Sequence, residues 1–151
     1  MPMVEDLKCT CYRLRRADRR VTRLYDAALE PSGVTIVQFS ILAALARDGD
    51  SGITALADSL GTERTTMTRT LERMQALGWI GPVDGGDARM RAQRLTEEGR
   101  AVYGRAAGHW RRAESAMARG MGADRLALLW QLLGEAEDAA RGIAGKNGRQ
   151  S

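Results

Sequence analysis

Apolar residues recur at three- and four-residue steps along most of this chain, and the pattern breaks where glycine and proline gather. Leu7, Cys11, Leu14, Val21, Leu24, Tyr25 and Ala28 form one stripe, which predicts a long helix over 5–30 stopped by Pro31 and Gly33. Thr35 and Gln38 fit the S/T-x-x-E/Q capping box. They open a second helix whose buried side is Val37, Ile41, Leu42 and Leu45. RDGDSG (47–52) reads as a turn, and a short helix follows over 54–60 with Leu56, Ala57 and Leu60 apolar. Gly61 ends it. Thr62 then fits the N-cap of a longer helix that runs to Leu77 and closes at Gly78.

The period changes after Gly78. WIGPV (79–83) and RAQRL (91–95) read as short strands around the glycine-rich, charged turn DGGDARMR (84–91), with Pro82 suited to an edge. Thr96 fits the cap of another helix, striped by Val102, Tyr103, Ala106, Trp110, Ala113, Met117 and Met121. A break at 120–122 and a cap at Asp124 introduce the last helix, with Leu126, Leu129, Trp130, Leu133, Ala140 and Ile143. The tail GKNGRQS is expected to be disordered. The fold class is therefore mainly α with a small β-hairpin wing: helix-turn-helix followed directly by a hairpin, a winged helix, flanked by helices from both termini.

Leu126, Leu128, Leu129, Trp130, Leu132 and Leu133 cover much of one helix surface, more than one chain of this size readily buries. An internal helical bundle is one remedy. A homodimer is the simpler one, built from the first helix and the last two, with Leu7, Leu14, Val21, Trp110, Leu126, Leu129, Trp130 and Leu133 as its apolar contacts.

The helix that follows Gly61 is unusual at its head. Thr62, Thr65, Thr66, Thr68 and Thr70 crowd together, although threonine is β-branched and weak in helices. At 100° per residue Met67, Leu71, Met74 and Leu77 share the core face. Thr65 and Arg69 point away from it, flanked by Thr66 and Thr68, with Arg64 at the start and Arg73 a turn further on. Hydroxyls and guanidiniums there bond phosphates and base edges, which a recognition helix does with its N-terminal turns. The plainer alternative, threonines that cap and decorate a surface helix, accounts for Thr62 better than for the rest. On the hairpin, Arg89 and Arg91 suit a minor groove, and Asp87 suits an anchor that orients a neighbouring arginine.

Composition narrows the functional classes. Hydrophobic residues are 44% of the 151, as in folded proteins, and the net charge is +4. Of the 23 basic residues only Lys8 and Lys146 are lysines. Arginine forks match phosphate and guanine edges, though genomic base composition also enriches arginine. Cys9, Cys11 and a single histidine, His109, supply no zinc-ligand spacing and no disulfide framework. No nucleophile–base pair or phosphate loop is visible, so neither enzyme activity, a cofactor nor a metal is expected. The N-terminal MPMVEDLK lacks the form of a secretion signal, and no apolar run reaches membrane-spanning length, so a cytoplasmic protein without membrane contact is expected. A winged helix that binds proteins remains an alternative, but it calls for an apolar exposed face where this one is cationic.

DARMRAQRLTEEG resembles the D-x-R-x-(R)…L-T-x-x-G signature of the MarR family of multiple-antibiotic-resistance regulators, and TALADSLGTERTTMTRTLERMQALGWI is similar to that family's helix-turn-helix. The resemblance covers about 5–143. It implies a single MarR-type domain over 1–151: dimerisation helices at 5–33 and 97–143, a DNA-binding lobe at 35–95 and a flexible tail at 145–151. It also implies a homodimer that reads a pseudo-palindrome in double-stranded DNA, with Thr66, Thr68 and Arg69 as recognition-helix contacts and Asp87, Arg89 and Arg91 as the wing motif. Family members often respond to small aromatic effectors; Tyr12, Arg16, Phe39 and His109 are linings by rough position only. The hydroperoxide-sensing branch carries a reactive cysteine in its first helix, which makes Cys9 or Cys11 the redox candidates.

Overall fold

A computed structural model describes residues 8–84 and 92–147. The helices are α1 (Thr10–Leu29), α2 (Ile36–Asp48), α3 (Ile53–Ser59), α4 (Arg64–Ala76), α5 (Glu97–Met121) and α6 (Ala123–Asn147). A single 3-10 turn, Glu30–Ser32, follows α1, and the strands are β1 (Ile80–Pro82) and β2 (Gln93–Leu95). Some boundaries differ from expectation. Lys8 and Cys9 are outside α1, with Cys9 extended at its N-cap. Asp124 lies inside the first turn of α6, because only Gly122, at φ 87°, breaks the chain between α5 and α6. Residues 145–147, expected in a disordered tail, continue α6. Leu7 and the wing residues Asp87, Arg89 and Arg91 lie outside the described residues.

The chain forms two compact units, Met1–Arg111 and Arg112–Ser151. The first holds the winged helix. Its core gathers Leu29, Ile41, Leu42, Leu56, Met67, Leu71 and Met74, all essentially removed from solvent. Each side chain buried this way contributes roughly 1.5–3 kcal/mol by the hydrophobic effect. Phe39 of α2 stacks on Tyr103 and Trp110 of α5, with ring centroids 5.5 and 5.7 Å away. Trp110, expected at a dimer contact, is thus half-buried within its own chain: seven residues from Tyr103, it shares that face of α5. Val37 departs in the other direction. Expected on the buried side of α2, it is 44% exposed, and Leu77, expected on the core face of α4, is 47% exposed. Both sit at helix ends, beyond the packed middle turns.

The capping box of α2 is present, with Gln38 N donating to Thr35 Oγ1 at 3.2 Å and Thr35 N to Gln38 Oε1 at 3.0 Å. Asp26 adds a link the sequence did not reveal, since its carboxylate accepts from Ile36 N at 2.7 Å and ties α1 to the start of α2. In the second unit Ala113 and Leu126 are buried, whereas Leu128, Trp130, Leu132, Leu133 and Ile143 of α6 are exposed.

Candidate nucleic-acid interface

α3 and α4 make the helix-turn-helix. The turn uses Gly61 at φ 61°, and Thr62 N donates to Ala57 O at 2.9 Å. Thr62 does not cap α4. Glu63 occupies the N-cap without a side-chain cap bond, and the Thr62 hydroxyl turns back to Leu60 O at 3.4 Å. The first N–H groups of α4 therefore receive no side-chain cap bond. Its C-terminus is closed firmly: Gly78, at φ 76°, donates to Gln75 O and Trp79 N donates to Met74 O, the paired bonds of a Schellman motif.

Met67, Leu71 and Met74 face the core as expected. The opposite side is open to solvent and carries Arg64, Thr65, Thr66, Arg69, Glu72 and Arg73. None of these arginines joins an ion pair among the described residues. The threonines divide. Thr68 Oγ1 donates to Arg64 O at 2.9 Å and Thr70 Oγ1 to Thr66 O at 3.0 Å. Those two hydroxyls satisfy themselves on the helix and offer only lone pairs outward, which explains how the helix tolerates them. Thr65 and Thr66 remain exposed beside Arg69. A shallow concavity of about 400 Å³ runs over Arg64, Thr65, Thr68, Arg69 and Glu72. A second, of about 540 Å³, lies between the start of α2 and the other flank of α4, with Arg69 and Arg73 on its wall.

The base of the hairpin stands beside this helix. β1 and β2 pair antiparallel, Ile80 with Leu95 and Pro82 with Gln93. Ser51 bridges to the far side of β2, so β1 is the edge and Pro82 sits where a missing N–H costs nothing. Sequence reasoning took residues 47–52 only as a turn. The signal for the bridge is faint, a lone serine between two short polar segments.

Arg94 forks onto Asp50 through Nε at 3.1 Å and Nη2 at 2.6 Å, another pairing missed from sequence. Hydrogen bonding to Arg94 holds the Asp50 carboxyl below its ordinary range, with burial opposing and the charges of Arg94 and Arg100 assisting. A carboxyl lowered in the folded state stabilises fully above its unfolded pKa and loses that contribution as pH falls through the folded value. Asp50→Asn is therefore expected to melt below wild type near neutrality, and the two melting curves should converge as pH drops below about 4, near the unfolded carboxyl's pKa. The gap should be small, because the pair is exposed to solvent.

Thr96 caps α5 as expected, accepting from Gly99 N at 3.0 Å while its hydroxyl donates to Gly78 O at 2.6 Å. A Cβ on Gly99 would lie 1.9 Å from Trp79 O. The L-T-x-x-G segment is thus the joint at which α5 meets the hairpin.

The cysteines are not paired with each other; Cys9 is half-buried and Cys11 exposed, although Cys11 falls on the apolar stripe of α1. Phe39 is taken up by stacking, while Tyr12, Arg16 and His109 are half-buried. No group of three metal-ligating side chains occurs among the described residues, and no single helix there is long and apolar enough to cross a membrane.

The family model described as MarR family matches residues 32–90, from the start of α2 to the wing. The M. tuberculosis transcriptional regulator MosR, solved in complex with DNA, is 39% identical, with 89% of this chain and 99% of that chain aligned and a TM-score of 0.76. The chain belongs to the MarR family. Other MarR-type likenesses agree. The transcriptional repressor CouR bound to a 23-mer DNA duplex is 27% identical over 91% of this chain and 98% of that one, with a TM-score of 0.79. The HTH-type transcriptional regulator YwoH of Bacillus subtilis is 28% identical over 92 residues, 61% of this chain and 67% of that protein. This MarR-family chain is a DNA-binding transcriptional regulator with a winged-helix fold.

Proposed function

We propose that the chain is a ligand-responsive repressor that binds a pseudo-palindromic operator as a homodimer. The observation that carries the reading is the exposed face of α4, cationic and hydroxyl-bearing over its first turns, whose arginines join no ion pair among the described residues. Arg64, Thr65, Thr66, Thr68, Arg69 and Arg73 contact DNA from a major groove, Thr68 as an acceptor only. Asp87, Arg89 and Arg91 of the wing serve the flanking minor groove. Leu14 and Val21 on α1, and Leu129, Trp130 and Leu133 on α6, are the apolar contacts of the dimer. Leu126, also expected there, is 5% exposed within its own chain. MosR and CouR, both solved on DNA, support the reading. CouR, 25% identical in the relevant structure, was also solved with p-coumaroyl-CoA, which supports a small aromatic effector that shifts the population away from the DNA-competent state. Protection mapping of the chain's own upstream DNA tests this. Two protected half-sites about one helical turn apart, bound by a species of twice the chain mass, are expected. Protection of one half-site by a monomer would overturn the dimeric reading.

A second reading is favoured by the exposure of Cys11: repression released by a hydroperoxide. A thiolate of Cys9 or Cys11 attacks the peroxide, takes its terminal hydroxyl as a sulfenic acid, and releases the alkoxide, which picks up a proton. Hydroperoxide should then abolish operator binding by wild type and spare the Cys9→Ser/Cys11→Ser variant. Equal loss in both would dismiss it.

A further inference from the structure

β2 forms the root of the wing, and one of its residues reaches the recognition helix directly. The backbone of Gln93 exchanges both hydrogen bonds with Ser51, at 2.8 and 3.0 Å. Its side chain is buried at 4% exposure, and Oε1 accepts from Gln75 Nε2 at 2.7 Å. Gln75 belongs to α4, on the helix that carries Arg69 and Arg73, but it stands on the flank turned toward the hairpin. The bond therefore joins α4 directly to the root of the hairpin. Two apolar side chains would fill this place with no directional demand. A buried amide imposes one, since it loses solvation and regains it only while its partner keeps distance and angle.

We propose that Gln75 and Gln93 are positioning residues for DNA reading. They fix the orientation of the wing relative to α4, so that helix and wing enter adjacent grooves together. The inference rests on the DNA-binding reading given above. Swinging the hairpin root away from α4 breaks the Gln75–Gln93 bond, so the pair favours one orientation of the root among those the short ladder alone permits.

The test uses full-length protein and the operator that wild type selects from a random duplex pool. Gln75→Leu and Gln93→Leu should each lower the melting temperature, and the double variant should recover most of it. The recovered double variant should still bind the operator roughly tenfold more weakly, and should no longer distinguish changes in the base pairs flanking each half-site, while keeping discrimination at the central positions read by α4. Gln75→Ala, at an exposed helix position that keeps the fold, should show the same loss of flanking discrimination. A double variant or Gln75→Ala that binds and discriminates like wild type would overturn the inference and leave DNA reading intact. A wild type that selects no sequence from the pool would overturn both.

Discussion

Gly99→Ala should be among the most damaging single substitutions in this protein, lowering stability by about 3 kcal/mol, as expected for a core clash that the fold cannot relax. Alanine is ordinarily the better helix former, and Gly99 lies in the first turn of α5, so propensity alone predicts a gain. The surroundings reverse the sign. The added methyl would stand 1.9 Å from Trp79 O and 3.2 Å from a Leu95 methyl. Trp79 cannot retreat freely, because its N–H closes the Schellman motif on Met74 O and its carbonyl accepts from Thr96 N at 3.1 Å. Relief requires α5 to lift from the hairpin, which would also pull the wing root from α4. Thermal or denaturant unfolding checks the prediction; a variant as stable as wild type would show that the joint is looser than these contacts indicate. Operator binding should fall with it, since the joint holds the end of α4 and the hairpin root together.

Arg69→Ala should behave in the opposite way, leaving stability within about 0.5 kcal/mol of wild type and relaxing sequence preference at the base pair it contacts. Arg69 is exposed, contributes nothing to the core, and borders both concavities on the flanks of α4. A bidentate arginine–guanine contact contributes roughly 1–3 kcal/mol of discrimination, so the preference at the contacted base pair should drop about fivefold or more. Binding measured on the operator and on a duplex altered at each position would locate that pair. An unaltered preference profile would mean that Arg69 meets phosphate or solvent and that α4 docks at another angle.

The sequence made the element order legible because its periods are clean: 3.6 residues through the helices, a glycine at each break, and the Thr35–Gln38 box that the structure reproduces atom for atom. The core face of α4 was equally plain, since Met67, Leu71 and Met74 recur on one side. Errors cluster at helix ends, where periodicity carries no information. Val37 and Leu77 continue apolar stripes past the packed turns, and Thr62 has the chemistry of a cap one residue too early to act as one. Trp110 illustrates a different limit. A stripe states that a side is buried, not whether the chain itself or a second copy buries it. The contacts around the hairpin root, Gln75 with Gln93, Arg94 with Asp50 and Ser51 with β2, join residues far apart in the chain through polar side chains or single bridges. No local pattern announces such pairs. Among the threonines of α4, only the structure separates Thr68 and Thr70, whose hydroxyls bond the helix, from Thr65 and Thr66, which stay open.

The salt dependence of operator binding tests the central claim most directly. If α4 and the wing hold a duplex through arginines on phosphates and bases, the logarithm of affinity should fall steeply and linearly with the logarithm of salt concentration, and Arg73→Ala should make that slope shallower by about 1 if it neutralises one phosphate. A flat dependence, with affinity unchanged in Arg73→Ala, would contradict the assignment of this face to DNA.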